Sequence, residues 1–367
     1  MELSGFLVPL VIMNLVVLFF SVLILIFKEL LREKRQFKLQ LNTEKKLMVQ
    51  GGGSLLSTLF ENHYFLPSGC GGKGKCGYCK VKVPKGGSSI SAAEGILLER
   101  KQIKSNVRLA CQVRLKNDLV VEIPEEYFKI QEFEACIHET SYVNELTKEI
   151  TFQLKSPSNI VFKLGQYIQV LYDFHGEMIQ RGYVIASLPS QSEMIKINVQ
   201  LIEGGIMSTY LHSLREGDKV RFLGPCGDSF SPDSECGIFV GIAGGVGISP
   251  FKSIIQNILE VQPTKQIYLF YGVKDFSKLF DHDFFSSLFR TLPNFHYFPA
   301  FSEEIPGPDS CFLKGIISKI FQENFLENEA AEAVICGPTQ MIDSLIPLFR
   351  KKDFVRINQK VWARKNV

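Results

Sequence analysis

From residue 6 to residue 27 the chain is apolar, relieved only by Pro9, Asn14 and Ser21. At about 1.5 Å per residue a helix of this length crosses a bilayer core, so the pattern predicts one transmembrane helix. A secretory signal needs a basic start, a shorter apolar stretch and small residues at a cleavage site, and none of these is present. Lys28, Arg32, Lys34 and Arg35 follow the helix, whereas only Glu2 is charged before it. Positive charge stays on the cytoplasmic side, which places the rest of the chain in the cytoplasm.

Beyond the helix the periodicity changes three times. Residues 37–128 have the length and alternation of a ferredoxin: 38–42 opens as a strand, 54–61 has helical spacing, and 113–123 alternates again until Pro124. Residues 129–232 read as all β, with strands at 151–154, 167–172, 195–202 and 219–223 divided by Gly, Pro and Asp turns, which suits a small barrel. After Gly237, apolar runs at 238–242, 267–271 and 333–336 alternate with helical segments at 250–261, 313–323 and 341–350, the pattern of a parallel α/β sheet that binds a nucleotide. The predicted division is thus 1–36 as anchor and juxtamembrane linker, then domains at 37–128, 129–232 and 233–367.

Length agrees with this division, since 367 residues exceed what one hydrophobic core serves. A net charge of +3 with 22% charged residues implies no nucleic-acid partner. Cys136, Cys226, Cys236, Cys311 and Cys336 are scattered without a pairing pattern, which points to a reducing compartment rather than a disulfide framework. The histidines have no ligand spacing, and no Ser-His-Asp or paired-carboxylate arrangement stands out for hydrolysis.

Candidate chemistry concentrates in Cys70-Gly-Gly-Lys-Gly-Lys-Cys76-Gly-Tyr-Cys79, completed by Cys111. Soft thiolates favour iron-sulfur clusters and zinc. A zinc knuckle normally supplies two separated pairs of ligands, whereas a triplet plus one favours a [2Fe-2S] cluster. Gly71, Gly72, Gly74 and Gly77 allow the backbone to wrap the core and aim N–H groups at its sulfides.

In the barrel, Arg181-Gly-Tyr183-Val184 offers a guanidinium for a pyrophosphate and an aromatic to cover a flavin ring, while Gly205-Ile-Met207-Ser208 opens a helix whose N–H groups attract phosphate. Taken singly, Arg-x-Tyr is more often a surface pair and Ser208 merely a cap; their order behind a ferredoxin favours the flavin. The third domain opens with Gly241-Ile-Ala-Gly244-Gly245-Val-Gly247-Ile-Ser-Pro250, a strand running into glycines and then a helix, which leaves room for a dinucleotide's phosphates. Tyr271-Gly272 and Cys336-Gly337-Pro338-Thr-Gln-Met341 end two further strands and face the same crevice.

These motifs, in this order, resemble the ferredoxin-NADP reductase superfamily. With the apolar helix and ferredoxin module in front, they are similar to the family of F subunits of sodium-translocating NADH:quinone oxidoreductases. Five residues separate Cys70 from Cys76 as in that family, where plant-type ferredoxins have four. The resemblance implies a multidomain α+β and α/β chain: a β-grasp-like 2Fe-2S ferredoxin domain, an FAD-binding β-barrel and a Rossmann-like NAD-binding domain behind the transmembrane helix. It implies FAD and a 2Fe-2S cluster as cofactors and NADH as donor, with Tyr183, Val184 and Cys336 at the site of hydride transfer. It also implies other integral-membrane subunits as partners in a bacterial inner membrane, which reduce quinone and pump sodium. NADH over NADPH follows from the resemblance, with support from the charge of Asp275 and opposition from Lys274.

The chain departs from the family pattern in places. Val184 stands where the family has a hydroxyl facing the flavin, which implies slower hydride transfer, and Ser187 is a nearby substitute hydroxyl. The segment 173–180 is short where the family carries an insertion. The tail 354–367 lacks the family's acidic-aromatic ending and leaves Trp362 as a candidate flavin cover. Cys336 either tunes the approach of the nicotinamide or only packs. Two alternatives stay open: a membrane-tethered reductase serving an oxygenase or desaturase, and a non-catalytic tethered ferredoxin with a decayed reductase module.

Overall fold

The computed structural model describes residues 3–30, 35–42, 45–233, 235–303, 312–325, 331–351 and 354–361. It opens with helix α1, Leu3–Leu30, whose described side chains from residue 11 onward are exposed. Helix α1 covers the apolar run 6–27. Counted over the described residues alone, no helix is long and apolar enough to cross a membrane, and in α1 the continuous run of described side chains is residues 11–24.

A first sheet carries the thiol loop. Its elements are β1 (Gln36–Leu41), β2 (Lys45–Gln50), α2 (Leu55–Glu61), β3 (Lys80–Lys85), α3 (Ala92–Leu97), α4 (Arg100–Lys104), β4 (Val107–Leu109) and β5 (Leu119–Glu122). The strand order is β2-β1-β5-β3-β4, with β1 and β5 parallel and the other pairs antiparallel. Alternating apolar residues, Leu39 and Leu41 on β1 and Leu119 and Val121 on β5, meet Leu55 and Leu59 of α2 in one core. Ser54 starts α2 by accepting from the Ser57 amide, and Ser91 with Glu94 forms a reciprocal cap on α3. The strand predicted over 113–123 is confined to β5. Val113 and Leu115 instead exchange backbone hydrogen bonds with residues 52 and 53 ahead of α2 and with Leu55 at its start.

The second sheet comprises β6 (Gln131–Asn144), β7 (Thr147–Ser156), β8 (Tyr167–Phe174), β9 (Glu177–Val184), β10 (Met194–Gln200) and β11 (Lys219–Cys226), with α5 (Ile206–Ser213) between the last two. The order β10-β7-β6-β11-β8-β9 is antiparallel, and the Ala186 amide closes it on itself by donating to the Lys196 carbonyl at 2.8 Å. Phe133 and Phe222, stacked at 5.2 Å, and Phe152 fill its centre.

The third sheet is wholly parallel, in the order β15-β14-β13-β12-β16-β17. Its elements are β12 (Ile238–Gly244), α6 (Phe251–Val261), β13 (Gln266–Val273), α7 (His282–Thr291), β14 (Phe295–Phe301), β15 (Leu313–Lys314), α8 (Ile317–Asn324), β16 (Ala331–Gly337), α9 (Thr339–Lys351) and β17 (Phe354–Val361). Strands β12 and β16 are buried at every position, as helices on both faces require. The helix predicted over 313–323 splits into β15 and α8 around Gly315, whose φ of +146° no side-chain-bearing residue adopts readily. The tail adds a strand that its polarity hides, and Trp362 lies outside the described residues.

Candidate functional site

Cys70, Cys76 and Cys79 lie on the loop between α2 and β3, and Cys111 follows β4. The thiols come together as two pairs. Cys76 donates to Cys70, which lowers Cys70 to about 5 and raises Cys76; Cys79 donates to Cys111, which lowers Cys111 to about 7 and raises Cys79. Backbone N–H groups of Lys73, Lys75 and Cys76 point at the Cys70 sulfur, that of Tyr78 at Cys76 and that of Gly74 at Cys111. Among the described residues no group of three or more His, Cys, Asp or Glu is set to hold one metal ion. Two pairs of thiols suit a binuclear core in which each iron takes two cysteines, better than a single zinc inside four.

The glycines are needed for close approach. A Cβ on Gly74, where φ is +67°, would lie 2.6 Å from Nε2 of Gln112, and that same amide donates to the Cys111 sulfur at 3.6 Å. A Cβ on Gly71, φ +62°, would lie 2.5 Å from the Gln180 carbonyl of β9.

Contact between Gly71 and β9 reveals how the modules meet. The thiol loop sits directly on the strand that carries Arg181 and Tyr183. Nη1 of Arg181 donates to the Cys70 carbonyl at 3.4 Å, and the Gly182 amide to the Gly69 carbonyl at 3.5 Å. Gln169 of β8 accepts from the Ser68 amide and donates to the Leu66 carbonyl at 3.2 Å. Tyr78, between two of the cysteines, packs its ring 5.8 Å from that of Tyr167. Val184, 5% exposed, belongs to the same apolar cluster as Tyr167, Leu223 and Cys226. Burial raises the Tyr78 phenol, and the nearby Cys76, Cys336 and Asp228 add to the shift. Asp228 follows the barrel and Cys336 lies near the end of β16.

On the third sheet, Gly244 pairs with Gly272 and Ala243 with Cys336, which sets three strand ends level. A Cβ on Gly247 would collide with the Cys336 carbonyl, and one on Gly337 would lie 2.5 Å from Cε of Met341. Gly244 faces Met341 and Pro338, and Pro250 caps α6. Gly245, at φ +54°, has open space where its side chain would be.

Other expected residues have packing contacts. Tyr183 packs against the barrel core on the face of β9 opposite to Val184, and burial raises its phenol. Met207 is buried within that core, while Ser208 turns its hydroxyl to the Gly205 and Ile202 carbonyls and closes the turn into α5. Tyr271 is buried beneath the sheet with its hydroxyl toward the Lys278 carbonyl, and Gly272 makes room for Ile317 of α8. Cys336 is wholly buried. Ser187 accepts from the Lys196 amide, and Asp275 caps the short turn at Ser277. Gln112, Gln169 and Tyr167 escaped the sequence reading; only Gln112, adjacent to a ligand cysteine, carried a signal.

Together, fold and site define an iron-sulfur flavoprotein reductase: a thiol loop for a cluster seated on a flavin-type barrel, beside a nucleotide-binding sheet. Residues 39–116 match the 2Fe-2S iron-sulfur cluster binding domain, 134–230 the oxidoreductase FAD-binding domain and 242–345 the oxidoreductase NAD-binding domain. Among solved structures, the Amycolatopsis cytochrome P450 reductase GcoB is similar at a TM-score of 0.70 and 24% identity, over 89% of this chain and 98% of that one. The ferredoxin reductase in carbazole 1,9a-dioxygenase is similar at a TM-score of 0.65 and 20% identity, over 90% and 99%. The F subunit of the Na(+)-translocating NADH-quinone reductase of Neisseria meningitidis is 30% identical over 93% of this chain and 94% of its own length. That of Pseudomonas aeruginosa is 29% identical over 91% and 92%. The chain belongs to this family, the F subunits of Na(+)-translocating NADH-quinone reductases.

Proposed function

We propose that this chain is the electron-entry subunit of a membrane respiratory complex, oxidising NADH and passing electrons through FAD and a 2Fe-2S cluster toward quinone while partner subunits transport sodium. The observation that carries this reading is the seating of the thiol loop on β9, with Arg181 donating to the Cys70 carbonyl and the Tyr78 ring packed against Tyr167. A cluster held there lies beside the strand expected to carry the flavin. Bound FAD turns a two-electron donor into single electrons for a one-electron carrier.

Within this reading Cys70, Cys76, Cys79 and Cys111 hold the cluster. Arg181, Tyr183, the backbone of Val184 and the Gly205–Ser208 turn hold the flavin, and Tyr183 presents its ring to it, while the Val184 side chain packs toward Tyr167. Gly244, Gly245, Gly247, Pro250, Tyr271, Gly272 and the Cys336-Gly337-Pro338 loop with Met341 hold the nicotinamide nucleotide, Cys336 keeping that loop in register against Gly247. The domains divide at 37–128, 129–232 and 233–367. Helix α1 anchors the chain once through the bacterial inner membrane, supported by the apolar run 6–27 and the basic residues after it.

The test is the full chain, purified in detergent under anaerobic conditions. Flavin bleaching by NADH followed by a rhombic paramagnetic signal supports the reading. A chain that binds the cluster but no flavin, or that bleaches only with dithionite, overturns it.

A further inference from the structure

The barrel covers one flank of the thiol loop and leaves the other to α3 and α4. On that flank Ala93 lies 3.4 Å from where a Gly74 Cβ would be, and Leu97 3.7 Å from that of Gly77, so α3 lies directly over the loop. Glu94 fixes the helix there: its buried carboxylate accepts from Arg108 at 2.8 and 2.9 Å and from the Leu109 amide at 3.0 Å. Helix α4 joins the same surface through Gln102, which accepts from Lys80, next to Cys79, at 3.4 Å.

What α3 shows to solvent is apolar. Ile96 is 73% exposed and Ile90, just ahead of the helix, 43% exposed. Lys73 precedes Gly74, which lies under Ala93 of α3, and Arg100, Lys101 and Lys104 lie on α4 just after α3; all four are exposed, and none has an ion-pair partner among the described residues. Between residues 70 and 104 the only acidic residues are Glu94, buried with Arg108, and Glu99. An apolar centre with a rim of one charge sign is the form of a surface that steers a complementary protein and then excludes water from the contact.

We propose that the surface of α3 around Ile96, with Ile90 just ahead of the helix and a rim of Lys73, Arg100, Lys101 and Lys104, is the docking surface for the protein that takes electrons from the cluster, and that this acceptor presents an apolar patch edged by carboxylates. The inference rests on the electron-entry reading above. A protein is favoured over a lipid surface because the face lies over the thiol loop, where a redox centre gains from close approach and a lipid headgroup does not.

The experiment uses the assembled complex in membranes with Ile96→Glu and, separately, the double variant Lys101→Glu with Lys104→Glu. The amplitude and rate of the cluster's rhombic signal after NADH addition report folding and transfer within the chain. Those should match the unaltered protein, while NADH-driven quinone reduction falls by tenfold or more and loses its slowing by salt in the double variant. Lys101→Arg with Lys104→Arg should restore it. Unchanged quinone reduction in both variants overturns the proposal. So does loss, in the double variant, of the full chain's salt-sensitive preference for anionic over neutral vesicles with quinone reduction intact, which assigns the face to lipid. If the unaltered complex shows no cluster signal with NADH, the electron-entry reading itself fails, a result distinct from either.

Discussion

The thiol loop and the nucleotide crevice both depend on glycine, the loop for left-handed bends as well as close approach and Gly244, Gly247 and Gly337 of the crevice for close approach alone. In the loop, glycines at positive φ bend the chain tightly around four sulfurs, and the pairs Cys70–Cys76 and Cys79–Cys111 form within a short stretch of chain plus one strand end. In the crevice, Gly244, Gly247 and Gly337 leave room for backbone and side chains that come from remote parts of the sequence, such as the Cys336 carbonyl and Met341. One site is assembled locally and the other by the packing of strand ends. Damage to the first should therefore stay local, whereas damage to the second should spread into the sheet.

Four outcomes separate the two. Cys76→Ala should abolish the rhombic signal and cluster-dependent transfer while NADH still bleaches the flavin, measured by resonance and stopped-flow absorbance; loss of both would mean the sites are not independent. Glu94→Gln leaves the buried Arg108 without its charge partner and should cost about 3–5 kcal/mol in chemical unfolding of the cluster domain. Although burial opposes ionisation of Glu94, hydrogen bonds from Arg108, Ser91 and Leu109 win and hold its carboxyl below the ordinary value. A depressed folded-state value stabilises above the unfolded carboxylate pKa of about 4.3 and is lost as pH falls through the folded one. The native domain should thus weaken on acidification in that window, and the Gln variant should lack this component of the acid response.

Gly247→Ala should cost about 1–3 kcal/mol from overpacking against Cys336 and raise the KM for NADH, with the cluster signal unaltered. A lost cluster signal would break the contrast. The smallest effect is expected from Val184→Thr, which buries a hydroxyl in the apolar contact with Tyr167 at about 1–2 kcal/mol and leaves the rate of flavin reduction by NADH unchanged. A faster rate would place that side chain against the flavin rather than in the domain contact.

Much of the architecture was legible in the chain because its signals are local. Alternation marked the strands of the barrel, and continuous apolar runs marked β12 and β16, since a strand buried on both faces has no polar side to show. The cysteine spacing and its glycines identified the loop. The reading failed where partners are distant. Val113 and Leu115 alternate like a strand but bond to the turn before α2, and Leu313 looks helical but pairs with β14.

By itself the sequence determined the three-module order, the apolar first helix and the four thiols, because periodicity and ligand spacing are properties of neighbouring residues. Only the tertiary structure decided that the thiol loop rests on β9, that Arg181 touches Cys70, and that Tyr78 packs on Tyr167 of the barrel. Those contacts join residues about a hundred or more positions apart, where no local pattern records which surfaces bury each other, and burial is what selects them.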